Sequence, residues 1–121
     1  MRKTDRKIDN AITKVLTDAC ELALGHYEGF KWLTHLVNYD DFPGSLSVVC
    51  IFDTNANLSG AAAEEMRALI KKKLASIDVR LDNSRRQVSF DTEENCRNEN
   101  NGRWRERLRS RERARDTGTL P

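Results

Sequence analysis

The order of hydrophobic patterns in this 121-residue chain predicts an α+β fold, a two-layer sandwich of a four-stranded antiparallel sheet with two helices on one face, followed by a basic C-terminal tail. Three observations predict it. Two segments repeat apolar residues at spacings of three and four, the mark of a helix with one buried stripe. Four shorter segments alternate or run apolar between turn-forming residues, as strands do. The last 25 residues follow neither pattern and hold eight of the chain's arginines.

Taken in order, Thr4 is placed to cap a helix from about Asp5 to Leu24, in which Ile8, Ile12, Val15, Leu16, Ala19, Leu22 and Ala23 form one stripe. Gly25 supplies a left-handed end, and Gly29 loosens the link to Phe30. Lys31 to Tyr39 reads as a strand that stops at the turn formers Asp40, Asp41, Phe42, Pro43 and Gly44. Ser45 to Asp53 is its partner. The run Leu46 to Phe52 is apolar at nearly every position, as expected of a central strand covered on both faces. Ser59 then caps a second helix with Ala62, Met66, Leu69, Ile70, Leu74 and Ile77 on one side and Lys71, Lys72 and Lys73 near its negative pole. Ile77, Val79 and Leu81 alternate with polar residues, Asn83 and Ser84 turn the chain, and Val88 and Phe90 alternate again, predicting a second hairpin. Asp91 or Thr92, with Glu93 and Glu94, opens a short helix through Cys96, and Asn100, Asn101 and Gly102 interrupt it. Arg103 to Arg115 is compatible with a helix, but Trp104 and Leu108 are its one apolar pair at i and i+4.

This order of elements fits a ferredoxin-like sandwich with its first strand moved to the end. The fourth strand inserts beside the second after a right-handed crossover. A type II KH domain has similar early elements, but no G-x-x-G is present to clamp a nucleic-acid backbone. The domain spans residues 1–96 and the tail residues 97–121. If helices cover one face of the sheet, the other face still carries apolar residues of the central strand beside Trp32. At about 25 cal/mol per Å² of apolar surface, leaving two or three such side chains wet forgoes several kcal/mol. The Trp104 and Leu108 segment, a second copy of the chain or a protein partner would cover them, so Trp32, Trp104 and Leu108 are the expected partner surface.

The remaining residues exclude several functions. His26 and His35 lack metal-ligand spacing with each other or with Cys20, Cys50 and Cys96, so no metal is expected. Isolated glycines cradle no phosphate, and no cofactor is expected. His35 near Asp40 and Asp41 has no nucleophile placed with it, Cys50 lies in the most apolar run, and Cys96 beside Arg97 is the one accessible thiol expected. A non-enzyme follows. The odd number of scattered cysteines and the lack of a signal peptide or membrane-length apolar run predict a cytoplasmic protein without membrane attachment.

Charge separates the tail from the domain. Of 21 basic and 19 acidic residues the tail holds eight and four, leaving the first 96 residues near neutral with 13 and 15. Arginine binds phosphate through its planar fork, so Arg103, Arg105, Arg107, Arg109, Arg111 and Arg113 are the candidate contacts to RNA or DNA. Their every-second spacing would spread them around a helix. The chain is therefore expected to be a small cytosolic nucleic-acid-associated or regulatory binding protein, homo-oligomeric or partnered through its sheet face. The alternative is a protein-interaction module in which the tail is incidental.

Several stretches read together point to a family. They are Arg2 to Asp5, Gly29-Phe30 with Trp32 to Val37, Phe42-Pro43, Val48 to Asp53, Phe90-Asp91, Glu93-Glu94, Cys96, Gly102, Trp104, Arg107 and Leu108. In these the chain resembles small uncharacterised proteobacterial proteins sometimes labelled Fis-family transcriptional regulators. The likeness covers most of residues 1–108 and implies no activity or site residue. The label implies an all-helical protein ending in a helix-turn-helix, whereas this chain has two hairpin patterns and an arginine run where the recognition helix would stand.

Overall fold

The computed structural model describes the backbone of residues 2–117 and the side chains of residues 2–111. Helix α1 (Lys3–Leu24) buries Ile12, Leu16, Ala19 and Ala23, the centre of the stripe read from the sequence. It ends at Gly25 in an ordinary right-handed conformation; the left-handed glycine is Gly29, at φ 82°. Strand β1 (Phe30–Leu36) leads through a 3₁₀ turn (Tyr39–Asp41) into β2 (Ser47–Phe52), every residue of which is buried. The two pair antiparallel.

A bulge at Lys31 sets which side chains meet which layer. Phe30 opposes Phe52, yet Trp32 opposes Ile51, so one extra residue in β1 reverses the parity. Phe30 thereby faces the helices, packed edge-on to Phe52 with centroids 5.7 Å apart. Trp32 faces the other side.

After β2 the chain forms α2 (Asn55–Ser59), capped by Thr54, and then α3 (Ala63–Ala75), which starts from Ala62 without a side-chain cap rather than from Ser59 and buries Met66, Ile70 and Leu74. The next segment contradicts the four-stranded antiparallel sheet. Residues 77–83 form no strand, and the short helix α4 (Ser84–Gln87) follows them. Strand β3 (Val88–Thr92) pairs parallel to β2, so the sheet has three strands in the order β1-β2-β3, mixed rather than antiparallel. The α+β class holds; the permuted ferredoxin-like topology and the second hairpin do not.

The reason is physical. Val79 and Leu81 are buried while Asp78, Arg80 and Asp82 are exposed, so the segment alternates because it plugs the bottom of the core, not because it pairs. Asp78 at φ 60° reverses the chain directly behind α3, where the Val79 N–H donates to the Leu74 carbonyl. Gln87 then closes the region: it is buried, its carbonyl oxygen accepts the Asn83 N–H, and its amide donates to the Pro43 and Leu46 carbonyls at 3.1 and 3.0 Å. A period of two reports which side chains point inward, and backbone pairing is a separate condition.

Helices α1 and α3 pack on one face of the sheet, where Val48, Cys50 and Phe52 of β2 meet Ile12, Leu16, Met66, Ile70 and Leu74. Val49 and Ile51 point to the opposite face and are fully buried as well. Their cover comes from the C-terminal helices: α5 (Glu93–Asn100) and α6 (Trp104–Thr117). Among the described residues no helix is long and apolar enough to cross a membrane.

Gly29 ties the α1–β1 link to the end of β2, its carbonyl accepting the Asp53 N–H at 2.8 Å. A Cβ there would lie 2.6 Å from Asn57 Cβ and from Asp53 Oδ1, at a φ that side chains disfavour. Gly29→Ala should therefore lower the free energy of unfolding by about 2 to 3 kcal/mol, read from urea denaturation. The control Gly25→Ala, in a right-handed conformation with its nearest contact an ordinary 3.8 Å, should be near neutral.

Candidate functional site

The tail returns over the sheet because of two local signals. Thr92 caps α5, its hydroxyl accepting the Asn95 N–H at 3.0 Å, with Glu93 and Glu94 in the first turn as the dipole favours. Asn101 at φ 52° and Gly102 at φ 79° then end α5 left-handed, and the Gly102 N–H donates to the Cys96 carbonyl. Residue 97, the expected start of the tail, thus lies inside α5. From this turn α6 runs back across the outer sheet face.

Its contact with the sheet combines one aromatic pair and one ion-pair cluster. Trp104 packs edge-on against Trp32 with centroids 5.0 Å apart, and Leu108 is half-buried one turn later. Arg107 grips Asp91 with both arms of its fork: Nε donates to Oδ2 at 2.6 Å and Nη2 to Oδ1 at 3.0 Å. Its Nη1 donates to Glu99 at 2.9 Å and to the Asn100 side-chain oxygen at 3.0 Å. Arg111, one turn on, donates to the Ser89 hydroxyl at 2.7 Å and reaches Asp91 at 3.4 Å. Asp91 also accepts the Thr92 N–H. It is 3 % exposed and sits beside Ile51 in the register, on the face Trp32 shares.

Burial pushes the Asp91 carboxyl up, but the Arg107 hydrogen bonds, the Thr92 N–H and the charges of Arg107 and Arg111 outweigh it and hold the group below its ordinary value. The Arg107 guanidinium is raised in turn, chiefly by its bond to Asp91. The cluster opens onto a cleft of about 330 Å³ lined by Asp91, Asn100, Arg107, Ser110 and Arg111.

The arginines expected to act together are thereby divided. Arg107 and Arg111 serve the sheet. Arg103 is exposed and paired with Glu106 at 3.5 Å. Arg105 and Arg109 are exposed, lie one turn apart, and have no carboxylate within salt-bridge distance among the described residues. Arg113 belongs to α6 by its backbone, and its side chain lies outside the described residues. Trp32 and Trp104 pack on each other, and they and Leu108 are each half-buried.

The histidine and cysteine side chains singled out from the sequence are held by other contacts or by burial. His35 does not meet Asp40 or Asp41; its Nε2 lies 2.9 Å from Asp9 Oδ1 on α1, and the Tyr39 hydroxyl donates to the same oxygen at 2.6 Å. These bonds from His35 and Tyr39 hold Asp9 below its ordinary pKa. Cys20 shares a shallow cleft with His35. The histidine's Nε2 is engaged by Asp9, eleven residues before Cys20 on α1. Burial pushes the Cys50 thiol up to about 12. Cys96, expected to be accessible, is fully buried under the α5–α6 turn, and burial raises its pKa despite Arg107 nearby. Among the described residues no group of three histidine, cysteine or carboxylate side chains could hold a metal.

Sequence reasoning overlooked two features. Asp91 was legible only as a polar strand residue or helix-opening acid, although Trp104, Arg107, Leu108 and Arg111 share one helical stripe that would meet a carboxylate on the sheet. The second is the outward face of α1, where Lys3, Lys7 and Lys14 recur at helical spacing, all exposed. No protein-family model, curated protein or solved structure matches the chain.

Removing Arg107 would leave Asp91 buried with Arg111 alone at longer range, so Arg107→Ala should cost about 3 kcal/mol or more. Because the folded pKa of Asp91 is depressed, its contribution is present above the unfolded value near 4 and is lost as pH falls through the lower folded value. Asp91→Asn should therefore flatten the loss of stability between about pH 5 and pH 2, measured by denaturant unfolding at stepped pH.

Proposed function

We propose that the protein is a non-catalytic, nucleic-acid-associated or regulatory binding protein of the cytosol, which presents the outer side of α6 to a polyanion. One observation carries this reading: the sheet's carboxylate consumes Arg107 and Arg111, while Arg105 and Arg109 stand outward on a helix that those anchors hold in place. A guanidinium pair one turn apart on a fixed helix can approach successive phosphates with little further ordering. The three cysteines, all free, agree with a reducing compartment. The α1 cations offer a second basic surface on the opposite side of the sheet, so a single flat contact cannot use both.

The reading is tested by fluorescence anisotropy of labelled RNA and duplex DNA against the full chain at several salt concentrations. Two phosphate contacts give a slope of log affinity against log salt of roughly −1.5 to −2. Arg105→Gln and Arg109→Gln should each weaken binding and reduce that slope by about 1. Replacing Lys3, Lys7 and Lys14 by Gln should leave it unaltered. Absence of binding at low salt, or insensitivity to both arginine changes, would overturn the proposal; loss through the lysines instead would move the contact to α1.

A further inference from the structure

We propose that the groove between α1 and α3 is the interface of a two-fold homodimer in which α3 packs antiparallel against α3 of a second copy. The groove, of about 380 Å³, is lined by Leu22, His26 and Tyr27 and, from α3, by Glu65, Ala68, Leu69 and Lys72. Leu22 is 54 % exposed, and it and Leu24 are the large apolar side chains most open to solvent among the described residues. The observation that selects the occupant is the pattern along α3. Glu65 and Lys72 are exposed at the two ends of the groove, seven residues or about 10.5 Å apart, with Ala68 and Leu69 between them.

A two-fold axis near Ala68 brings Glu65 of each copy opposite Lys72 of the other. The apolar centres then meet, and two identical ion pairs form from one kind of surface. The wider helix agrees: Glu64 and Glu65 begin α3, and Lys71, Lys72 and Lys73 end it, so antiparallel pairing joins unlike charges and parallel pairing joins like ones. Ala68 at the crossing carries no side chain that would hold the axes beyond the usual 8 to 10 Å. The helix dipole accounts for the charges at either end, but not for an apolar strip between them with Leu22 exposed beside it. In this arrangement the apolar strip provides attraction and the ion pairs fix orientation, since exposed pairs contribute little by themselves. The interface lies across the sheet from α6, so it does not depend on the polyanion reading.

Charge exchange tests it. Sedimentation of the full chain over a wide concentration series should show a monomer–dimer equilibrium. Glu65→Lys and Lys72→Glu should each weaken self-association at least tenfold, as should Leu22→Asp. Glu65 also accepts the Tyr27 hydroxyl, so folding of each variant is checked by circular dichroism. An equimolar mixture of E65K and K72E should restore the dimer, because every like-charge contact becomes an unlike one in the mixed pair. A chain that stays monomeric throughout, or a dimer whose affinity ignores all three changes, overturns the proposal, as does a mixture no tighter than its folded components. Should E65K not fold, unaltered dimerisation of K72E and L22D overturns it instead.

Discussion

The fold depends on burying β2 from both sides. Its six residues are all buried, and their apolar side chains point alternately into two layers. A strand of this kind requires a cover above and a cover below, because an exposed face carrying Val49 and Ile51 would sacrifice a large share of a small domain's marginal stability. The α1–α3 layer provides the first cover with ordinary hydrophobic packing. No comparably apolar segment remains in the chain for the second. That shortage explains why a helix rich in arginine lies on the sheet.

Helix α6 solves the problem with chemistry unlike that of the other layer. Trp104 and Leu108 supply its apolar contact, and the fork of Arg107 on Asp91 supplies the rest. A buried carboxylate is costly by itself, and here two guanidiniums and a backbone N–H occupy its oxygens. Such a pair confers register as well as attachment, since a bidentate contact admits one orientation of the helix over the strand. The bulge at Lys31 belongs to the same arrangement. Without it Trp32 would point at the helices, and Trp104 would have no aromatic partner on the outer face.

A division of labour among the arginines follows from helical geometry. Residues at every second position advance by about 200° around an α-helix, so an alternating run cannot form one basic face. Positions 107 and 111 meet the sheet, while 105 and 109 face water. The basic character that marks the tail in the sequence is thus partly neutralised within the protein. Among the described residues, fewer of these arginines face solvent than the tail's arginine count implies.

The sequence by itself determined much of this: the two amphipathic helices, the antiparallel β1–β2 pair, the central position of β2, a helix start at Asp91 or Thr92 and the break near Asn101-Gly102. Each rests on local chemistry, namely side-chain period, turn residues and capping groups. It also showed that an uncovered sheet face had to be met by something. Tertiary structure alone decided that Val79 and Leu81 plug the core without pairing, because alternation records inward and outward facing and is silent on backbone partners. It alone decided that β3 runs parallel to β2, that His35 turns to Asp9 on α1, and that Asp91 becomes the anchor of α6. Those outcomes join residues far apart in the chain, and no local pattern encodes which distant charge will share a buried carboxylate.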